Sequence, residues 1–434
     1  MTQAKEGNGD NQQERQAILV AVYNGAAQRP VCEEHLEELE LLCETYGVKV
    51  LKKIPCQVKK FDASTFLSTG KLEDLALEVN ELRPDVVIFD DEISPAQQRN
   101  LEKLFQIPVI DRTEVILGVF AQRAHSKEAR LQVELAQIKY QAPRLKRMWT
   151  HLSRQHATSG GGGAYLKGKG EKQIEIDRRM IKQQTHQIQK EIDEVKAQRD
   201  VRRSLRVRTE IPVFAIIGYT NAGKSTLLNS LTEAGVFVED KLFATLDTTT
   251  RKFTLSNNQE ILLTDTVGFI RKLPHLLVAA FRSTLEEAIQ ADILLHLIDV
   301  SHPMAEEQAE ATFEVLKELG AEKKPVITVL NKIDLCKNHA MINRMRIEYS
   351  KTIQISALNK VGFDELIEAM VEELRNQRCI LQLRIPQKDY HIISEIISAG
   401  NVLKQEYEEN DILLKVELSA NLARKLQNYT EENT

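Results

Sequence analysis

Pro212–Thr226 reads PVFAIIGYTNAGKST, and the architecture of the chain turns on that stretch. It begins as an apolar run of strand length and closes on Gly218. The remainder, GYTNAGKST, satisfies G-x-x-x-x-G-K-[ST] through Gly218, Gly223, Lys224 and Ser225. In that frame successive backbone N–H groups, together with the N-terminus of the following helix, cradle phosphates. Lys224 reaches the β- and γ-phosphates, and Ser225 gives its hydroxyl oxygen to Mg²⁺. The spacing alone arises by chance; a strand before it and a helix after it turn the pattern into a phosphate loop. Tyr219, Thr220, Asn221 and Ala222 lie inside that loop and join the nucleotide-binding set.

Three further motifs follow in order, each at a strand end. LLTDTVGF (Leu262–Phe269) brings Asp265, Thr266, Val267 and Gly268 out of a strand. The carboxylate can hold magnesium through water, and the Gly268 N–H can sense a γ-phosphate. VITVLNKIDL (Val326–Leu335) ends on Asn331, Lys332, Ile333 and Asp334. A carboxylate there accepts from guanine N1–H and the 2-amino group, an arrangement adenine lacks, so GTP is preferred to ATP. QISALN (Gln354–Asn359) supplies Ser356, Ala357 and Leu358, with the Ala357 N–H placed to meet guanine O6. Four motifs in this order predict a GTPase domain.

Composition sets the outer limits. The chain has 434 residues, 42% hydrophobic and 28% charged, which gives room for two to four globular domains. The first fifteen residues are polar and read as a disordered tail. The first apolar run, Ala17–Tyr23, is too short for a signal peptide or membrane span, so a cytoplasmic protein without stable membrane insertion is expected. Five cysteines without a CxxC pair argue against a disulfide framework or zinc site and for buried thiols. The net charge of −5 conceals an asymmetry: from Arg123 to Lys182 there are 14 Lys/Arg against 5 Asp/Glu, a balance of +9. Such a stretch is either a polyanion site or a solvated helix face.

The fold class expected is α/β: a P-loop GTPase domain (206–378) with an N-terminal α/β domain (16–122), an antiparallel helical hairpin (123–205) and a small C-terminal α/β domain (379–434). In the first domain AILVAVY, VKVLKKI and DVVIFDD read as strands, Glu33–Tyr46 and Lys71–Leu82 as helices. Ser94–Phe105 opens with a cap residue followed by proline. In the hairpin, Leu131, Leu135, Ile138, Leu145 and Met148 form one helical stripe, which Pro143 should kink or interrupt. Ile174, Ile181, Ile188 and Val195 repeat every seven residues as the seam of the second helix. Between them SGGGGAYLKGKGEKQ (Ser159–Gln173) reads as an exposed tip loop. The tail segment reads as a strand CILQLRIP, a helix around Tyr390–Leu403 and a strand ILLKVEL.

Residues 212–378 resemble the G domain of translation-factor-related GTPases, specifically of the HflX family. The likeness extends outward through ISPAQQRNLE, VIDRTEVIL, FAQRAHSKEARLQVELAQ and GEKQIEIDRR, and through LFATLDTTTRKF and DTVGFIRKLPHLLVAAFRSTLEE. It covers the chain from residue 16 to about 378. The resemblance implies a monomeric cytosolic GTPase that binds the large ribosomal subunit and its rRNA and helps part stalled or idle ribosomes. It implies Phe243, Ala244, Thr245, Leu246 and Asp247 as a switch beside the nucleotide, with Thr245, favoured by the family's motif over the competing Thr248, Thr249 and Thr250, joining Ser225 on Mg²⁺ and acting in catalysis with Lys224 and Gly268. Asn221 matches an asparagine that coordinates K⁺ in some related GTPases. Phe269 stands where many GTPases carry a water-orienting glutamine, so hydrolysis should be slow until a partner or cation completes the site.

The tip loop is one residue longer and more basic than the family's pattern. On this reading Lys167, Lys169, Lys172, Arg178 and Arg179 meet rRNA phosphates and Tyr165 stacks on an unpaired base; a passive spacer is the alternative. Two rival functions stay open. One is a signalling or scaffold switch with a protein partner. The other is an RNA-remodelling NTPase acting through the N-terminal domain, where STGKLED holds a Gly-Lys pair without the upstream glycine.

Overall fold

A computed structural model describes the backbone of residues 15–158, 163–207, 211–232, 242–246, 248–257, 259–274, 287, 289–336, 338–376, 378–399, 401–408 and 411–430. The chain divides into two compact units. One takes Met1–Ile192 with Glu239–Ala244 and Lys272–Phe281; the other takes Asp193–Val238, Thr245–Arg271 and Arg282–Thr434.

The first unit is built on a parallel sheet ordered β2-β1-β3-β4, from β1 (Arg15–Tyr23), β2 (Val48–Gln57), β3 (Val86–Phe89) and β4 (Val109–Asp111). Helices α1 (Arg29–Tyr46), α2 (Thr69–Leu82), α3 (Pro95–Phe105) and α4 (Arg112–Arg123) alternate with the strands. Ser94 caps α3 in a full capping box with Gln97, and Pro95 occupies the first turn, where its missing N–H costs nothing. Asp111 closes β4 and caps α4 through the Glu114 N–H. Cys32, Cys43 and Cys56 are buried thiols in this unit.

Helix α5 (Lys127–Thr158) and helix α6 (Gly163–Val207) form the hairpin. Leu135, flanked by Leu131 and Ile138, packs on Ile188 and Ile192. The second seam is therefore centred on an i, i+4 pair rather than on the heptad set alone. Two expectations are corrected here. Pro143 lies inside α5, which continues past it. The next residue, Arg144, donates to Gln98 Oε1 (3.0 Å), the Ile93 carbonyl (3.1 Å) and Asp111 Oδ2 (3.0 Å), and its guanidinium stacks 3.5 Å over the Tyr140 ring. These contacts fasten the turn beside the lost hydrogen bond. The tip is also shorter than read, since α6 begins at Gly163 and takes in most of the stretch read as a loop. Extending an established helix adds a hydrogen bond per residue, which offsets the roughly 1 kcal/mol each glycine costs.

The second unit holds a six-stranded sheet ordered β10-β9-β8-β5-β7-β6. Its strands are β5 (Val213–Gly218), β6 (Thr249–Thr254), β7 (Glu260–Asp265), β8 (Ile293–Asp299), β9 (Val326–Asn331) and β10 (Thr352–Gln354). All pairs are parallel except β6 with β7. The named helices here are α7 (Lys224–Thr232), α8 (Ala305–Glu318), α9 (His339–Glu348) and α10 (Phe363–Asn376). Phe214, Ile216, Leu263, Leu295 and Val329 from the central strands pack with Leu227 of α7 and Met370 of α10. A separate antiparallel sheet, β11-β13-β12, closes the chain: β11 (Arg378–Pro386), β12 (Asn401–Glu408) and β13 (Asp411–Ser419). It is accompanied by α11 (Tyr390–Ala399) and α12 (Ala420–Lys425). The expected helix to Leu403 stops at Ala399, because Asn401 enters the strand that pairs with β13.

Candidate nucleotide-binding site

In parallel α/β sheets the strand C-termini converge on one edge, where ligands bind. Here β5, β7, β8 and β9 all run parallel and deliver Gly218, Asp265, Asp299 and Asn331 as their last residues. The loop after β5 is shaped by backbone that only particular residues accept. Gly218 has φ +148°, and a Cβ there would lie 2.3 Å from the Leu297 carbonyl oxygen. Gly223 has φ +96°, and a Cβ would lie 2.4 Å from Asn331 Nδ2. Asn221 is left-handed at φ +59° and exposed.

Asn331 is buried and clamps two of the motifs together. Its Nδ2 donates to the Ala222 carbonyl (2.8 Å), and its Oδ1 accepts the Ala357 N–H (2.9 Å). Ser230 adds a bond to the Ala357 carbonyl (2.8 Å), and Ser356 Oγ accepts the Asn359 N–H (3.2 Å). Lys332 is left-handed and pairs with Asp299 at 2.7 Å, while Asp334 and Leu358 are exposed. The Ala357 N–H expected to meet guanine O6 is thus committed to Asn331 in this structure, and the exposed Asp334 carboxylate is the guanine-motif group left open to accept a base's N–H groups.

At the phosphate end, Lys224 is buried and its Nζ donates to the Tyr219 carbonyl at 2.7 Å. Burial pushes its pKa down to about 8, and the charge of Asp265 acts the other way. The Asp265 carboxyl is pushed above the usual carboxylate range by burial, with Lys224 the foremost opposing influence. Ser225 Oγ lies 2.6 Å from Asp265 Oδ2 and 2.8 Å from Thr245 Oγ1. Asp265 Oδ1 is buried without a hydrogen-bond partner among the described residues. Three hard oxygen donors, one with a buried free lone pair, fit Mg²⁺.

Phe269 is buried, and its backbone pairs with the phosphate loop: its N–H donates to the Gly218 carbonyl (3.0 Å), and its carbonyl accepts the Thr220 N–H (2.7 Å). Thr266 Oγ1 ties the same segment to the Ile216 carbonyl at 2.7 Å. The Tyr219 side chain turns into the protein, its phenol oxygen accepting the Arg271 N–H at 2.6 Å, so only its backbone remains for a nucleotide.

Phe243 and Ala244 belong to the other compact unit, where the Phe243 ring packs edge-on against Phe120 at 4.5 Å. Asp247 lies outside the described residues, as do the side chains of Tyr165, Lys167, Lys169 and Lys172; Arg178 and Arg179 are exposed on α6. The Gly-Lys pair of the N-terminal domain sits in the first turn of α2, where Lys71 bonds Asp74 at 3.2 Å. Asp299, Ser230 and the Tyr219 phenol were not read from sequence. Of these only Asp299 had a signal, a carboxylate at the end of the apolar run ILLHLID.

Family models described as "GTP-binding GTPase N-terminal", "GTP-binding GTPase Middle Region" and "50S ribosome-binding GTPase" match residues 33–121, 123–206 and 213–332. The GTPase HflX of Chlamydia pneumoniae is 45% identical over 416 residues, 95% of this chain and 88% of that protein. The HflX of Caldanaerobacter subterraneus is 43% identical, covering 95% of this chain and 93% of its own length. That of Escherichia coli is 41% identical over 91% of both. With a strand-end phosphate loop, a guanine-type clamp and relatives of this length and identity, the chain belongs to the HflX family of GTPases, enzymes that hydrolyse GTP.

Proposed function

We propose that this GTPase binds the large ribosomal subunit in its GTP state and promotes the separation of stalled or idle ribosomes. The observation that carries this reading is the match of residues 213–332 to a family described as a 50S ribosome-binding GTPase. The +9 balance between Arg123 and Lys182 supports it, because a cationic hairpin suits rRNA phosphates. Among the described residues no helix is long and apolar enough to cross a membrane.

In the nucleotide site the N–H groups of Asn221–Ser225 take the phosphates, Lys224 the β- and γ-oxygens, and Gly268 senses the γ-phosphate. Asp334 reads the guanine, and the Ala357 N–H meets O6 once it exchanges its bond to Asn331 Oδ1 for the base. Ser225 and Thr245, with Asp265 through water, hold magnesium, which when bound neutralises charge on the β- and γ-phosphates. Phe269 offers no polar atom to the attacking water, so turnover without the ribosome is slow, roughly 10⁻⁴ to 10⁻² per second.

The test is co-sedimentation of the full chain with purified large subunits, in GDP and in a non-hydrolysable GTP analogue. Binding strengthened by the analogue and weakened by salt is expected. Replacing Lys167, Lys169 and Lys172 with alanine should make the log affinity against log salt slope shallower by about two. Equal binding in both nucleotides, or a slope unmoved by the triple change, would count against the reading. The signalling-switch alternative would show no co-sedimentation at all.

A further inference from the structure

Thr220 carries a side chain that the loop geometry does not explain. It is 6% exposed, and its Oγ1 is buried without a hydrogen-bond partner among the described residues. An unpaired buried hydroxyl lowers stability, so a loop selected only for its shape would carry valine or alanine there.

Its neighbours are those of the reacting end of the nucleotide. The Thr220 N–H is fixed to the Phe269 carbonyl at 2.7 Å. A Cβ placed on Gly268 would lie 2.8 Å from Thr220 Cγ2, 2.9 Å from Thr220 Cα and 3.0 Å from Lys224 Nζ. The threonine methyl, the γ-phosphate-sensing glycine and the phosphate-binding amine thus converge on one small volume. A turn of about 120° about χ1 carries Oγ1 into the place of Cγ2, on the Gly268 side, and Cγ2 into that of the β-hydrogen. Phe269, the next residue, is buried and has no polar side-chain atom.

We propose that Thr220 is a water-positioning residue for GTP hydrolysis, its Oγ1 accepting a hydrogen bond from the attacking water in place of the side chain Phe269 lacks. The reaction balances without net change at threonine. The water oxygen bonds to the γ-phosphorus as the bond to the β,γ-bridging oxygen breaks, its electron pair leaving on GDP. One water proton stays on the new phosphate oxygen, and the other passes to a phosphate oxygen. The inference rests on the GTPase activity and on the phosphate-loop roles above, and is independent of the ribosome.

The test uses the full chain without ribosomes. Thr220→Val keeps the shape and removes the hydroxyl. Single-turnover hydrolysis should fall about tenfold, while affinities for GDP and for a non-hydrolysable GTP analogue stay within about twofold. The melting temperature should hold or rise, since an unpaired polar atom has gone. Thr220→Ser should restore turnover, which a purely steric role would not predict. Wild-type turnover in the valine variant overturns the proposal. So does a loss of analogue affinity relative to GDP, which would make the hydroxyl a γ-phosphate ligand. Failure of serine to restore turnover overturns it as well, and should the valine variant not fold, the serine variant compared with Thr220→Ala decides on the same readouts.

Discussion

His296 should make the stability of the GTPase unit depend on pH. It lies in the middle of β8, 1% exposed, with its ring edge-on to Phe313 (4.8 Å) and Tyr349 (6.4 Å). Neither ring nitrogen has a hydrogen-bond partner among the described residues. Burial alone pushes its pKa down to about 3 from the ordinary value of 6.5. The unfolded chain therefore binds a proton between these values that the folded chain refuses. Stability is fully present above pH 6.5 and is lost as pH falls towards 3. At 1.36 kcal/mol per pKa unit, the loss between pH 7 and pH 5 is about 2 kcal/mol. With urea slopes of about 1–3 kcal/mol/M, the unfolding midpoint drops by on the order of 1 M. The assay is urea unfolding scored by hydrogen exchange of peptides spanning β8, in the wild type and in His296→Phe. The variant should lose most of this slope, and at pH 7 it should be no less stable, because no hydrogen bond is removed. Parallel pH dependences in the two proteins would refute the argument.

Lys224 gives a second pH effect, of opposite sense. Free, its pKa is about 8; phosphates arriving beside the amine raise it, so binding takes up a proton above that pH. GTP affinity should be flat below about pH 8 and fall by up to tenfold per unit towards pH 9, measured with a fluorescent GTP analogue; a flat profile to pH 9 would show that burial does not depress the free amine. Asp334→Asn should weaken GTP on the order of 100-fold and favour xanthosine triphosphate, whose 2-oxo group suits the new amide donor. Unchanged GTP affinity would remove Asp334 from the guanine site.

The fold was legible wherever a run of side chains had one consistent period. β1, β2 and β3 carry four or more apolar or alternating positions, and α3 announces itself by its cap and proline. β4 did not, because three residues are too few to show a period, and its role as the sheet's last strand depends on pairing with β3. α4 follows from it without a spacer, so its start at Arg112 has no loop to mark it. Pro143 does not end α5, because a local rule, the missing N–H, is outweighed by distant contacts. Gln98, Ile93 and Asp111, 33 to 51 positions away in sequence, meet Arg144. Such a contact leaves no local signature.

The site separates along the same line. Phosphate and guanine recognition use backbone N–H groups, and a backbone must be bent to present them. That bend forces residue types at fixed spacing: glycine at Gly218 and Gly223, where a Cβ would strike the Leu297 carbonyl or the Asn331 amide. Asn331 itself is fixed by the two loops it joins. Residues that complete the site through side chains obey no such spacing. Asp299 finds Lys332 across adjacent strands, and the Tyr219 phenol finds a main-chain N–H two residues beyond Phe269. The Thr220 hydroxyl finds no partner among the described residues, and that is informative in a different way. A motif is visible in sequence when the backbone demands it. A side chain that the backbone does not demand, and that folding would be better without, is retained for what it meets when the nucleotide is bound.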